Sequence, residues 1–433
     1  MYSNVSDNSK GMNLASVLAT YGAYIYSSFI FLGHTVSALG ALLMAISAGL
    51  LLKSERGIYL RDPLILLVVA FVIIVFANAI AISRNAGFSF DEQMDGAVDW
   101  GKYALLPLIA LALRGNVVVI KRCVYLIIAG FIVSVLIGTE YVEVERALSG
   151  QRTGFSVSII QMGMWSSIFF VLMLAMTPII LKTYRYHRAY LVMVVAWAVL
   201  VALMFQIMVF TQARGAWLAT AVALVFMLLM YIKFNKISKK GMILAAGLLF
   251  GLIAMNFQTF YDRVTTESER IAEIASVSGA DEIEISGSIG LRFHMIHFSV
   301  KRWLERPILG WGPGTYITHH FTVDDFDDEL DKEQVTRLGD YKRLHNGYAT
   351  VISQLGIVGV IFFALIFYFA ASRVINAYSR AYVDVDFLIM YLTLLILQLA
   401  LYLTNSRFTM IEYQLLFGFI IASAYSFQFK RSQ

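Results

Sequence analysis

The chain is poor in cysteine and in charge. Cys123 is its only cysteine, and Asp, Glu, Lys and Arg make up 15% of its 433 residues, against about 25% in soluble globular proteins. One cysteine excludes a disulfide framework, and no Cys/His cluster stands at zinc spacing. The formal net charge of +5 is no nucleic-acid footprint, because what counts is where the charges sit. What is abundant is apolar side chain: 59% of residues are hydrophobic and the mean hydropathy is +0.71. No soluble core of this size absorbs that much, so the natural solvent is a bilayer.

A spanning helix needs about 20 mostly apolar residues, and about twelve such windows are present. They run over 14–31, 35–52, 63–82, 98–113, 117–138, 156–181, 189–210, 214–233, 241–260, 345–371, 386–404 and 410–429. The fourth is the shortest. The first follows a polar leader and lacks a signal-peptidase site, so it is expected to be an uncleaved helix. With the N-terminus in the cytoplasm, the inner loops hold about 18 Lys and Arg and the short outer loops about 6, a ratio of about 3:1 that fixes the orientation. Both termini are then cytoplasmic. The expected fold is an all-α polytopic membrane protein. Transmembrane helices fill 1–260 and 345–433, and one large, partly helical outer loop spans 261–344.

The spans contain no Asp, Glu, Lys, Arg or His near their middles; Gln161, Gln206 and Gln398 are the mild polar residues there. Ion-coupled transport uses ionisable groups at mid-membrane and inverted repeats with broken helices, and neither is visible. A transporter or lipid-linked-glycan flippase is therefore the weaker reading from topology. The chemistry is expected at the outer ends of the helices.

Within the large loop, 263–276 has helical spacing and 289–304 is apolar around most of its circumference, so the latter is expected to lie buried at the interface against the bundle. Gly310-Trp311-Gly312-Pro313-Gly314 forces a turn. The run Asp324–Glu333, with seven acids and one lysine, reads as a solvated stretch, because no metal-ligand spacing is present.

Three cations stand out on the outer side. Arg214, in Thr211-Gln212-Ala213-Arg214-Gly215-Ala216-Trp217, opens a span against the positive-inside trend. A helix N-terminus there favours an anion, and a guanidinium fork suits phosphate; the alternative is an arginine snorkelling to lipid headgroups. Arg292 lies among apolar residues in the loop helix and needs a partner, either a carboxylate or a ligand phosphate. His345 begins the tenth span, where the helix dipole favours neutral imidazole. It is a candidate general base; the alternative is a histidine that only caps the helix. His34, His187, His294, His297, His319 and His320 have weaker cases, and His319-His320 lack a third metal ligand. Two arginines and a neutral histidine on one side of the membrane suit transfer of a group from a lipid diphosphate, with the arginines stabilising the leaving phosphate. No metal is then required.

These residues are also where the chain resembles the O-antigen ligase family (WaaL), within the superfamily that includes O-antigen polymerases and protein O-oligosaccharyltransferases. The resemblance rests on the span count, the late outer loop, Thr211–Trp217, Gly290-Leu291-Arg292 leading through Trp303 and Pro307 to Gly310–Tyr316, and Leu344-His345-Asn346-Gly347-Tyr348. It covers residues from about 200 to 370; earlier residues share only a hydropathy profile. It implies a glycosyltransferase of C-type fold in a Gram-negative inner membrane, taking O-antigen from undecaprenyl diphosphate to a sugar of lipid A–core in the periplasm. Arg214 and Arg292 would bind the diphosphate and His345 would be the base. Inversion and independence of metal are implied by the family, with no cofactor and no nucleic acid. A polymerase or oligosaccharyltransferase would use the same donor, and no residue names the acceptor. The acidic run matches no family motif.

The topology has a direct test. In a background lacking Cys123, Phe88→Cys, Ser149→Cys and Asp325→Cys should react with a membrane-impermeant thiol reagent in spheroplasts, and Arg56→Cys, Tyr186→Cys and Ile237→Cys should not. Labelling of the second group from outside would invert the orientation.

Overall fold

A computed structural model describes residues 4–155, 157–236, 287–315 and 344–430, with a few positions between 251 and 265; the side chains of 4–13, 54–58, 287–291, 293, 294 and 407 are outside the description. The described residues contain helices and no strand. In chain order these are α1 (Asn4–Phe29), α2 (His34–Tyr59), α3 (Pro63–Asn85), α4 (Phe90–Gly101), α5 (Leu105–Leu113), α6 (Val117–Gly138), α7 (Tyr141–Leu148), α8 (Ile159–Tyr184), α9 (Tyr190–Thr211), α10 (Arg214–Lys233), α11 (Gly287–Glu305), α12 (Gly347–Ser379), α13 (Val385–Tyr402) and α14 (Ile411–Tyr425). Nine helical stretches among the described residues are long and apolar enough to cross a membrane. Each corresponds to one of the windows read from sequence. The window 14–31 falls in α1 and 410–429 in α14 with a following 3-10 turn. The window 241–260, the stretch 263–276, the acidic run and His319-His320 lie outside the described residues.

The fourth window differs in an instructive way. The structure extends it back to Phe90, so that α4, a 3-10 turn at Lys102–Ala104 and α5 form one stretch to Leu113. Its first turns carry Asp91, Glu92 and Asp95, which kept them out of an apolar window. They are helical because they pack on other protein: Gln93, Ala97 and Trp100 are buried.

The chain divides into two compact units. The first comprises 1–134, 295–380 and 406–433; the second comprises 135–294 and 381–405. In the first, α1 and α2 pair through small residues. Ala15, Ala19 and Ala23 recur every fourth position and are buried, as close helix approach in a membrane requires. Ser47 Oγ then reaches the Ala15 carbonyl at 2.7 Å. The core of this unit is aromatic. Phe71 stacks on Phe362 at 3.7 Å, and Trp100 and Tyr103 meet Phe363 edge-on at 5.8 and 5.4 Å. In the second unit α8 is the central helix, buried along most of its length between α9, α10 and α13. Its C-terminal end is pinned by Lys182, which binds the buried Asp386 and stands 3.9 Å from Asp384, the N-cap of α13.

The most unusual backbone lies in α12. At Gly356 the helix breaks, with φ 59° and ψ −152°. A break in a spanning helix strands amides and carbonyls that lipid cannot satisfy. Here the segment after α11 takes them. Ile357 and Val358 N–H donate to the carbonyls of Pro307 (2.9 Å) and Ile308 (3.2 Å), while Trp311 and Gly312 N–H donate to those of Ser353 (2.8 Å) and Gln354 (3.0 Å). Side chains complete the clasp. Gln354 Nε2 donates to the Thr315 carbonyl (2.7 Å), Trp100 Nε1 to Gln354 Oε1 (3.2 Å) and Gln93 Nε2 to Thr315 Oγ1 (2.9 Å). Gly310 and Gly356 both have positive φ, and a Cβ on either would lie 2.5 Å from the other strand of the clasp.

Gly310→Ala and Gly356→Ala should therefore each destabilise the fold by about 1–3 kcal/mol from backbone strain alone, read as a lower thermal midpoint in detergent. Gly49→Ala is the control. Gly49 lies inside α2 with open space where a Cβ would go, so alanine should be neutral or slightly stabilising there. Equal midpoints for all three variants would contradict the clasp.

Candidate active site

Arg214 is the first residue of α10, and the turn before it is held from several directions within the second unit. Gln212 ends α9 in the left-handed region, φ 48°, and its Nε2 donates to the Gly150 carbonyl at 2.9 Å. The buried Thr211 Oγ1 donates to Met208 O (2.7 Å) and accepts from Ala213 N (3.3 Å). Trp217 Nε1 reaches back to Met208 O at 3.1 Å. Gly215 packs on Thr404, and Gly163 lies against Ala213, where a Cβ would come within 2.5 Å. The small residues of the motif are thus packing requirements. Ala213 supplies no side-chain cap to α10. The opening amides and the dipole of this helix are suited to an anion, and the half-buried Arg214 stands at its head.

A second guanidinium joins the same turn. Arg152 Nε donates to the Thr211 carbonyl at 3.4 Å, and Thr153 N–H donates to Phe210 O at 3.4 Å. The charge count places Arg152 among the outer cations, but its partner lies 59 residues away, and no local pattern reports a contact of that span.

Arg292 lies in α11 and is half-buried. Burial lowers its pKa from the ordinary arginine value, and a guanidinium remains charged regardless. It belongs to the second unit with Arg214. The helix around it matches the expected 289–304, but its burial is one-sided. Met295 and Ser299 are buried, while Ile296, Val300 and Leu304 are exposed and recur at every fourth position. One face of the helix is thus packed on protein, and the other presents an apolar stripe.

His345 belongs to the first unit. It is half-buried between the buried Leu344 and Asn346. Asn346, not His345, caps α12: its Oδ1 accepts from Ala349 N at 3.0 Å and its carbonyl from Thr350 Oγ1 at 2.9 Å. The N-cap position itself is thus Asn346, one residue after His345. Of the other histidines, His34 meets Glu412 at 3.1 Å, His187 Nδ1 accepts from Ala189 N at 3.2 Å, and His297 is exposed. Among the described residues no group of three or more His, Cys, Asp or Glu is arranged to hold a metal ion.

Residues 199–364 match the sequence model of the O-antigen ligase family. The matched segment contains Arg214, Arg292, His345 and both strands of the clasp. No curated protein matches the chain.

Proposed function

We propose, from its membership of the O-antigen ligase family over residues 199–364, that the protein is a C-type glycosyltransferase of about twelve spans that moves O-antigen from undecaprenyl diphosphate to a sugar of lipid A–core. The reaction takes place at the periplasmic face of a Gram-negative inner membrane, and both termini are cytoplasmic. The observation that supports this reading is the head of α10, where Arg214 stands at a helix terminus without a side-chain cap, an arrangement suited to an anion. Arg292 adds a second charge from α11. Arg152 steadies the turn that presents Arg214.

In the proposed step an acceptor hydroxyl attacks the anomeric carbon of the donor. The new C–O bond forms as the bond to the diphosphate breaks, so the configuration inverts. The hydroxyl proton goes to the imidazole of His345, and undecaprenyl diphosphate leaves with the electron pair. The arginines offset the charge that develops on it, which makes the reaction independent of a metal ion. Arginine is suited to this because its planar fork binds two phosphate oxygens at once.

His345→Ala should lower turnover by about 10²–10⁴-fold, the range of a positioned base, with donor affinity little changed. Arg214→Ala and Arg292→Ala should weaken donor binding as well, by about 1–3 kcal/mol each, and Arg→Lys should restore little. The measurement is single-turnover transfer and donor affinity for each purified variant, with undecaprenyl-diphosphate glycan and lipid A–core, and the product is read on a gel. Normal turnover in the His345 variant would overturn the base. Lengthened donor glycan in place of glycosylated lipid A–core would assign polymerase activity. Loss of transfer in EDTA, restored by Mg²⁺, would overturn metal independence.

A further inference from the structure

The outer end of α3 and the segment Arg306–Gly310 enclose an open groove of about 380 Å³. All of its lining residues belong to the first unit. Asn78, Ala81 and Asn85 form one wall; Arg306, Ile308 and Leu309 form the other. The walls are tied together, because Asn78 Nδ2 donates to the Leu309 carbonyl at 2.8 Å. The second wall is fixed from behind by the clasp, since the Pro307 and Ile308 carbonyls accept from Ile357 and Val358.

Two features of the groove call for a ligand. The first is charge. Arg306 is half-buried, with its Cζ 4.3 Å from the Trp311 ring centroid, and among the described residues no carboxylate pairs with it. The indole face holds the guanidinium in place, and a cation set beside apolar carbon is stabilised by an anion. The second is apolar surface. Ile308 is 64% and Leu309 40% exposed, and the exposed Ile296, Val300 and Leu304 lie on α11, which ends at Glu305 just before the groove segment. A cation beside exposed apolar side chains fits the boundary between a lipid headgroup and its acyl chains.

We infer that this groove docks the acceptor: a lipid-anchored saccharide whose anionic group lies on Arg306 and whose acyl chain runs along Ile308, Leu309 and the α11 stripe. The inference rests on the function proposed above. A general base acts on the acceptor hydroxyl, and His345 leads directly into α12, the helix to which the groove is clasped. Ile357 is 12 residues farther along, about 18 Å by helical rise. The anchor thus sits deeper along α12 than the base, as it must for a headgroup to extend outward to His345. The donor diphosphate is assigned to Arg214 and Arg292 of the second unit, which leaves this cation for the other substrate.

The test uses the full chain in detergent, with a photo-reactive residue in each wall (Ala81→p-benzoylphenylalanine, Leu309→p-benzoylphenylalanine) and a third on the exposed Val195 of α9 as control. Lipid A–core should cross-link at the first two positions and not at the third. Arg306→Gln should reduce the adduct and raise the acceptor KM about tenfold, the loss of one charge-assisted contact. Donor affinity and thermal midpoint should stay at wild-type values, and Arg306→Lys should restore part of the effect. Adduct without transfer would sink the proposed function and leave the docking site standing. Normal transfer without adduct, and with an unchanged KM in Arg306→Gln, would overturn the docking site. Complete displacement of the adduct by excess phosphatidylglycerol would also overturn it, by showing that the groove takes any anionic lipid.

Discussion

Within a bilayer every backbone amide and carbonyl must find a protein partner, and the first unit is organised around the one place where a long helix fails to supply its own. At Gly356 the hydrogen-bond ladder of α12 opens, and the segment 307–312 closes it with two bonds in each direction. Each unpaired group would cost several kcal/mol in lipid, so the Gly-Trp-Gly-Pro-Gly stretch acts as a second strand for the broken helix. Gln93, Trp100 and Gln354 extend the pairing into α4 and the aromatic core. Because α12 begins just after His345, what fixes the break also fixes the helix that presents the candidate base.

The second unit solves a different problem with the same economy. The turn between α9 and α10 is short and leaves the head of α10 without a side-chain cap. A left-handed Gln212, small residues at 213 and 215, and bonds from Arg152 and Gln212 hold it without using a side-chain cap. At the C-terminal end of α8, Lys182 closes on the buried Asp386 of α13.

How far the sequence disclosed this follows from the range of each interaction. Apolar windows report local transfer free energy, so they located α9 and α10 to within a residue and α8 to within three. They truncated the fourth span because Asp91, Glu92 and Asp95 look soluble, and nothing local reports that the opposite face of the same turns, Gln93, Gly96 and Ala97, is buried, with Gly96 against Gly314. Motif chemistry picked out Arg214, Arg292 and His345. It could not tell that Asn346 takes over the cap, since both residues suit a helix start. Glycines at 310, 312 and 314 announced a turn. Their partner at Gly356, and the whole clasp, stayed invisible because pairing between 307 and 357 leaves no periodic trace. Arg152 and Arg306 were countable as charges, but their positions depend on contacts made by folding.

The account turns on His345 accepting the proton of the acceptor hydroxyl, and chemical rescue tests that most directly. His345→Gly opens a space the size of the lost ring. Adding imidazole to the purified variant, with saturating donor and lipid A–core, should restore transfer in proportion to the concentration of neutral imidazole, while imidazole leaves an Arg214→Ala variant unchanged. A His345→Gly protein that folds, binds donor and stays inactive at every imidazole concentration would contradict the assignment.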